Sequence, residues 1–128
     1  MNQVWLVDDD QEMCQAIGLM LSLLDCQTRF FANSRQVART LLAGETPDLL
    51  LLDINMPEVT GLDLLEFIRR RKTWNRLPIV MISAESTDVD IDHAKLLGAT
   101  AYLVKPVSFK ELENVTRQVL PNKPKEPR

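Results

Sequence analysis

The chain has 128 residues, of which 45% are hydrophobic and 26% are charged, and its formal net charge is −3. This length suits one ordinary domain with a real core. The sequence has no run of 18 apolar residues that would predict a membrane span, and its N-terminus lacks the features of a signal peptide. Cys14 and Cys26 have no metal-ligand or redox spacing, so we expect reduced thiols in a cytoplasmic protein.

The charge is unevenly distributed along the chain. The tail PNKPKEPR, residues 121–128, has a net charge of +2, which leaves −5 on the rest. An acidic body argues against direct nucleic-acid binding by this domain. The basic run from Arg69 to Lys72 is predicted to be the solvated end of a helix, with partner docking as the alternative.

Short apolar runs alternate with amphipathic stretches from the N-terminus onward. The runs predict strands at Val4–Val7, Thr28–Phe31, Leu49–Leu52, Leu77–Ile82 and Ala101–Val104. The stretches predict helices at Gln11–Leu24, from Asn33 or Ser34 to Leu42, at Leu62–Arg71 and at Thr87–Leu97. A last helix is predicted to start at Ser108, where Glu111 completes a capping box. The four consecutive leucines of the third strand are typical of a strand that is buried on both faces. Strict alternation therefore predicts an α/β fold with a parallel sheet and helices on both sides.

Polar residues follow these apolar strands where each strand ends. Asp8, Asp9 and Asp10 follow the first strand, Asp53 the third, Ser83 the fourth and Lys105 the fifth. In parallel α/β folds, ligands bind beyond the carboxyl ends of the strands. The sequence therefore predicts a polar site at this edge of the sheet.

The residue types at this edge suit phosphoryl chemistry. Clustered carboxylates are tolerable when a divalent cation joins them, and oxygen ligands favour Mg²⁺. Lys105 suits a phosphoryl oxygen as a point charge, and Ser83 can hydrogen-bond another. Asp53 beside a metal can act as a nucleophile and form an aspartyl-phosphate. Asp10 is also expected to cap the first helix, which explains only one of the three carboxylates.

The segments VDDD, DINMPEVTG, ISA and YLVKP, in this order, resemble the receiver domain of two-component response regulators. The resemblance runs from about Val4 to Leu120 and implies a receiver domain over residues 1–120. It implies a flavodoxin-like, doubly wound (βα)5 fold with five parallel strands in the order 2-1-3-4-5. The tail at 121–128 is then a Pro/Lys-rich extension or the start of a linker.

The same resemblance assigns roles to individual residues. Asp53 matches the phosphoacceptor, and Lys105 matches the phosphate-binding lysine. The metal ligands implied are Asp8 acting through water, Asp9 directly, Asp53, and the backbone carbonyl of Asn55, with Mg²⁺, or Mn²⁺ in its place, as the ion. Further matches are Ser83 as the switch hydroxyl, Tyr102 as the switch aromatic, Gly61 as the loop glycine, and Lys105-Pro106 as a cis peptide.

Several positions differ from the commonest family pattern. Glu58 and Thr60 lie in a loop that often has an Asp and a small residue, and Ser83 stands where Thr is commoner. Asn55 and Glu85 lie where the family tunes dephosphorylation. These differences affect the expected lifetime of the phosphoryl group and leave its chemistry intact.

The resemblance implies that the domain is no conventional enzyme and catalyses only its own phosphorylation and dephosphorylation. The partners implied are a sensor histidine kinase or a histidine phosphotransfer protein, and a downstream effector or an output domain. It also admits a homodimer through the fourth helix, fifth strand and fifth helix, and it implies no membrane partner.

Two other functions remain as alternatives. A receiver-like interaction module that works without phosphate is the first, although no acidic or lysine position is missing. A metal-dependent phosphatase with an aspartate nucleophile is the second, and it would need a general acid where this chain has Asn55. His93 is predicted to be a solvated helix residue, and Trp5 and Trp74 are predicted to serve packing.

Overall fold

The computed structural model describes residues 1–120, so the predicted tail at 121–128 lies outside the described residues. Strands and helices alternate along the chain as predicted. The strands are β1 (Asn2–Val7), β2 (Cys26–Phe31), β3 (Leu49–Asp53), β4 (Ile79–Ser83) and β5 (Ala101–Val104). The helices are α1 (Gln11–Leu23), α2 (Ser34–Leu42), α3 (Gly61–Arg69), α4 (Asp88–Leu96) and α5 (Phe109–Val119), and a short 3₁₀ helix spans Lys72–Trp74.

The five strands form one parallel sheet in the order β2-β1-β3-β4-β5. This order confirms the predicted flavodoxin-like (βα)5 fold. In the register of the sheet, Val7 lies beside Phe31 and Leu52, and Ser83 lies beside Val104. The carboxyl ends of neighbouring strands are therefore level, and the residues that follow them meet at one edge.

A separate hydrophobic layer covers each face of the sheet. One layer packs α1 and α5 on the sheet, through residues such as Ile17 and Leu112. The other packs α2, α3 and α4, through residues such as Val37, Ile68 and Ala94. All five residues of β3 and all five of β4 are buried, because helices cover both of their faces.

Each helix begins with a side chain that accepts a hydrogen bond from a backbone N–H in its first turn. The capping residues are Asp10, Asn33, Thr60, Thr87 and Ser108. Asn33, and not Ser34, is therefore the cap of α2. The capping box predicted for α5 is wrong in one bond, because the Glu111 carboxylate accepts from the Ser108 hydroxyl and not from its backbone N–H.

The fourth strand begins two residues later than the sequence predicted. Leu77 and Pro78 are apolar, but neither belongs to β4. Pro78 has no N–H to give to a strand ladder. The Leu77 carbonyl accepts a hydrogen bond of 2.6 Å from the guanidinium of Arg69. Leu77 is apolar although it lies outside the strand, because it packs half-buried against the hydrophobic layer of α2, α3 and α4.

Arg69 is not a solvated residue, which corrects the prediction for the basic run. Its guanidinium donates to the carbonyls of Gly98, Trp74 and Leu77 at 2.8, 2.9 and 2.6 Å. Burial lowers the pKa of Arg69, but three charge-assisted hydrogen bonds compensate for the lost water. The remaining cations of the run, such as Arg70 and Lys72, are exposed as predicted.

Other residues lie where the sequence placed them. Trp5 and Trp74 are buried in the core, and His93 is exposed on α4. Cys14 and Cys26 are buried free thiols. Among the described residues, none of the helices is both long enough and apolar enough to cross a membrane.

Candidate functional site

Four strands place polar side chains at the carboxyl edge of the sheet. Asp8 follows β1, Asp53 ends β3, Ser83 ends β4, and Lys105 follows β5. Asp8, Asp53 and Ser83 are only 4%, 2% and 0% exposed. Buried polar groups of this kind are costly unless they are paired. Their positions at strand ends are fixed by the sheet and not by mobile loops.

Lys105 pairs with both buried carboxylates. Its Nζ lies 3.2 Å from Oδ2 of Asp8 and 3.3 Å from Oδ2 of Asp53. Burial alone would lower the pKa of Lys105, but Asp53 and Asp8 together raise it above its ordinary value. Lys105 is therefore a fixed positive charge between two carboxylates.

Asp53 is held in an environment that disfavours its charge. Burial, and next the neighbouring carboxylate of Asp8, raise the pKa of Asp53 to about 6. The N–H of Asn55, which donates to Asp53 Oδ1 at 3.2 Å, and the ammonium of Lys105 offset only part of this cost. The site therefore has more negative charge than the protein itself neutralises.

Three carboxylates lie close enough together to share a cation. Asp8, Asp9 and Asp53 each offer one oxygen, and these oxygens all lie within 4.8 Å of one another. Asp9 is exposed, whereas the other two are buried, so the cluster opens to solvent on the Asp9 side. The backbone N–H of Asp10 donates to Asp8 Oδ1 at 2.9 Å and fixes the orientation of that carboxylate.

Gly61 is required by the close approach of α3 to the end of β3. A Cβ atom at Gly61 would lie 2.2 Å from the backbone carbonyl oxygen of Asp53. The N–H of Gly61 also donates to the carbonyl of Ile54 at 3.0 Å. The loop between β3 and α3 therefore folds tightly over the residue that follows Asp53, with Glu58 at a φ of 65° in the left-handed region.

Ser83 and Tyr102 both contact the backbone of Glu85. The Ser83 Oγ accepts from the N–H of Glu85 at 3.0 Å. The Tyr102 hydroxyl donates to the carbonyl of Glu85 at 2.9 Å. The loop that leads from β4 into α4 is thus joined at one residue to the site and to β5.

The structure brings together most of the predicted site residues. Asp8, Asp9, Asp53 and Lys105 form one cluster, and Lys105-Pro106 is a cis peptide as expected. The Asn55 side chain is exposed, and only its backbone N–H contacts Asp53.

Sequence reasoning missed the backbone of Glu85, which links Ser83 to Tyr102. No residue pattern could have found it, because both hydrogen bonds go to main-chain atoms.

Comparison with known proteins agrees with this geometry. The model of the response regulator receiver domain family matches residues 4–117. The Regulator of RpoS from Escherichia coli strain K12 is 38% identical over 117 residues, which are 91% of this chain and 33% of that protein. The chain spans half or less of the length of the curated relatives that it matches.

Solved structures show the same fold. The chemotaxis response regulator CheY4 of Vibrio cholerae has a TM-score of 0.84 at 28% identity, over 94% of this chain and 99% of that one. The receiver domain of the sensor histidine kinase PA1611 from Pseudomonas aeruginosa, solved with a magnesium ion coordinated in its active-site cleft, has a TM-score of 0.82 at 24% identity. That match covers 92% of this chain and 96% of the other.

The strand order, the acidic cluster with its lysine, and the family match over residues 4–117 agree with one another. The chain belongs to the receiver domain family of two-component response regulators.

Proposed function

We propose that this receiver domain accepts a phosphoryl group on Asp53 and thereby switches a surface for protein interaction. The single observation that carries the proposal is the cluster in which Lys105 lies 3.3 Å from Asp53 and 3.2 Å from Asp8. Such a cluster costs folding free energy, because two buried carboxylates share one cation. A costly arrangement of this kind is expected where charge is needed for chemistry.

The residues present fit a divalent cation. Asp8, Asp9 and Asp53 would hold it, and the backbone carbonyl of Asn55 is the proposed fourth protein ligand. Oxygen-only ligands favour Mg²⁺, and Mn²⁺ accepts the same set. Burial and the carboxylate of Asp8 raise the pKa of Asp53, so the ionised carboxylate is unfavourable in this site. A bound cation would offset this unfavourable negative charge. A magnesium ion lies in the active-site cleft of the PA1611 receiver domain, which has the same fold. When bound, Mg²⁺ supplies positive charge for the oxygens of the transferring phosphoryl group.

The transfer itself is a displacement at phosphorus. A carboxylate oxygen of Asp53 forms the new P–O bond, and the bond from phosphorus to the donor breaks, with its electron pair leaving on the donor atom. Lys105 lies within reach of Asp53 Oδ2 and stabilises a phosphoryl oxygen there. Hydrolysis of the acyl phosphate by water returns the free carboxylate and inorganic phosphate.

The switch depends on the link through Glu85. A phosphoryl oxygen on Asp53 can accept a hydrogen bond from the hydroxyl of Ser83 and so draw this side chain, whose Oγ accepts from the Glu85 N–H, toward the site. Because Tyr102 holds the carbonyl of the same residue, a shift of Ser83 alters both ends of this link. The start of α4 follows within a few residues, so phosphate favours one of two arrangements of the α4–β5–α5 surface.

The partners follow from this chemistry and from the family. The phosphodonor is a sensor histidine kinase or a histidine phosphotransfer protein, and the switched surface acts on an effector or on an output domain. A homodimer through α4, β5 and α5 is a further proposal. We assign residues 1–120 to the receiver domain and the protein to the cytoplasm, where buried free thiols such as Cys14 and Cys26 stay reduced.

Intact-protein mass spectrometry after incubation with acetyl phosphate tests the proposal. We expect the wild-type protein to gain one labile phosphoryl group with Mg²⁺ and to gain none with a chelator. Asp53→Asn is expected to stay unlabelled under both conditions, and Asp63→Asn, which changes an exposed carboxylate of α3, serves as the matched control. Equal labelling of wild-type and Asp53→Asn protein would contradict the assignment of Asp53.

A further inference from the structure

The basic segment 69–76 has no part in the chemistry at the carboxyl edge. It contains Arg69, Arg70, Arg71, Lys72 and Arg76 and no carboxylate. The other described residues hold seven Lys or Arg side chains and 17 carboxylates, a net charge of −10. The segment 69–76 therefore carries a charge opposite to that of the rest of the described domain.

This segment lies at the amino edge of the sheet. It joins the end of α3 to the start of β4, whereas Asp8, Asp53 and Lys105 lie at the carboxyl edge. A partner bound at the amino edge would therefore leave the phosphoacceptor accessible.

Internal contacts hold the segment in a fixed shape. Arg69 points inward and donates to the carbonyls of Trp74 and Leu77, so it fixes the turn from inside. The guanidinium of Arg71 lies 5.0 Å from the ring centre of Phe67 and 5.7 Å from that of Trp74. Stacking on two aromatic rings restricts Arg71 and leaves the edge of its guanidinium free to donate hydrogen bonds.

Most of the outward cations form no ion pair within the described part of the chain. Arg70 pairs with Glu66 at 3.2 Å, but Arg71, Lys72 and Arg76 have no ion-pair partner among residues 1–120. All three are exposed. We call Arg71, Lys72 and Arg76 the amino-edge cations.

We propose that the amino-edge cations form a docking surface for a short acidic segment of a partner protein. Charge complementarity favours a carboxylate-rich peptide as the partner. The free edge of the Arg71 guanidinium can donate two parallel hydrogen bonds to a carboxylate. A nucleic acid fits less well, because a long polyanion would extend past three cations onto a body with a net charge of −10. This surface is independent of phosphoryl transfer at Asp53.

Fluorescence anisotropy tests the proposal with two labelled probes, an eight-residue peptide that alternates Glu and Gly and a 16-base-pair DNA duplex. The main variant combines Arg71→Gln, Lys72→Gln and Arg76→Gln. Its control, Arg39→Gln with Lys110→Gln and Arg117→Gln, removes the same charge from exposed positions elsewhere. A second variant, Lys72→Gln with Arg76→Gln, keeps the stacking of Arg71 in case the triple variant fails to fold.

We expect the main variant to bind the peptide about tenfold more weakly than wild type at low salt, and the control to change binding less than about twofold. Acetyl-phosphate labelling of Asp53 is expected to be unchanged in all variants, which separates this proposal from the proposed function. Equal loss in the two triple variants would show a general charge effect and overturn the proposal. Tighter binding of the duplex than of the peptide would also overturn it, in favour of nucleic acid.

Discussion

Ser83 and Tyr102 hold the backbone of the same residue, Glu85, from two sides: Ser83 Oγ accepts from the N–H of Glu85, and the Tyr102 hydroxyl donates to its carbonyl. The two side chains come from neighbouring strands, β4 and β5. Neither contact requires a particular side chain at position 85. The link therefore depends on strand register and on loop length, and it joins the buried site to a half-buried ring at the surface.

Removing the Tyr102 hydroxyl should loosen this loop without disturbing the site. In Tyr102→Phe the ring still packs, but the hydrogen bond to the carbonyl of Glu85 is lost, at a cost of about 1 kcal/mol. We expect faster hydrogen exchange of the amides from Glu85 into the first turn of α4, measured by mass spectrometry of peptides. Labelling of Asp53 by acetyl phosphate should persist. Unchanged exchange in this loop would show that the hydroxyl does not hold it.

Asp53→Asn should stabilise the metal-free protein. Burial and the carboxylate of Asp8 raise the pKa of Asp53 to about 6, so its ionised form opposes folding. The neutral amide removes this cost, and we expect the free energy of unfolding at pH 7 to rise by about 1–3 kcal/mol. Urea unfolding in the presence of a chelator measures it. A less stable variant would mean that the pairing of Asp53 with Lys105 outweighs its burial.

The same group predicts a pH dependence with a definite sign. The folded state binds the Asp53 proton more tightly than the unfolded state does, because the pKa of Asp53 is about 6 when folded and has its ordinary value of 3.8 when unfolded. The cost of burying the ionised carboxylate is therefore fully present above about pH 6 and disappears as the pH falls toward 4. The metal-free wild-type protein should therefore gain stability from this group between pH 7 and pH 4.5. Asp53→Asn should lose that part of the gain, which urea unfolding at the two pH values would measure.

Lys105 should contribute most to the stability of the protein when no divalent metal ion is bound. Lys105→Met leaves Asp8 and Asp53 buried without their shared partner, and removing one member of a buried ion pair costs about 3 kcal/mol. Because Mg²⁺ can replace the missing charge, it should raise the thermal midpoint of the variant more than that of wild type. Lys110→Met, an exposed lysine on α5, is the matched control and should change stability little. An equal response to Mg²⁺ in variant and wild type would contradict the proposed sharing of charge.

The sequence predicted the sheet because its two central strands, β3 and β4, are apolar at every position before their polar last residue, whereas its helices are amphipathic. Leu49 to Leu52 could only be a strand covered on both faces, and each polar strand end then fell at one edge. What could not be predicted depends on main-chain geometry. Arg69 sits in a run of four cations, and only the carbonyls of Trp74, Leu77 and Gly98 distinguish it from its solvated neighbours. The start of β4 was missed for a different reason: Leu77 and Pro78 continue the apolar run, but Pro78 has no N–H for a strand ladder.

Gly61 offers the sharpest test of how the fold positions Asp53. A Cβ at Gly61 would lie 2.2 Å from the backbone oxygen of Asp53 and 2.9 Å from Cα of Ile54, so Gly61→Ala must displace main chain beside the phosphoacceptor. Its φ is not in the left-handed region, so the expected effect is steric. We expect a loss of about 2–4 kcal/mol in the free energy of unfolding, together with slower labelling of Asp53.

The control is Gly44→Ala, which has a φ of 100° and no atom within 4 Å of the added Cβ. This variant meets only backbone strain, which costs about 1 kcal/mol, and it lies far from the phosphoacceptor in the turn after α2. Its rate of labelling should therefore equal that of wild type. If both glycine variants lose stability equally and label at the same rate, the close packing of α3 on the end of β3 does not position Asp53, and the loop between them must be more compliant than the contact at Gly61 indicates.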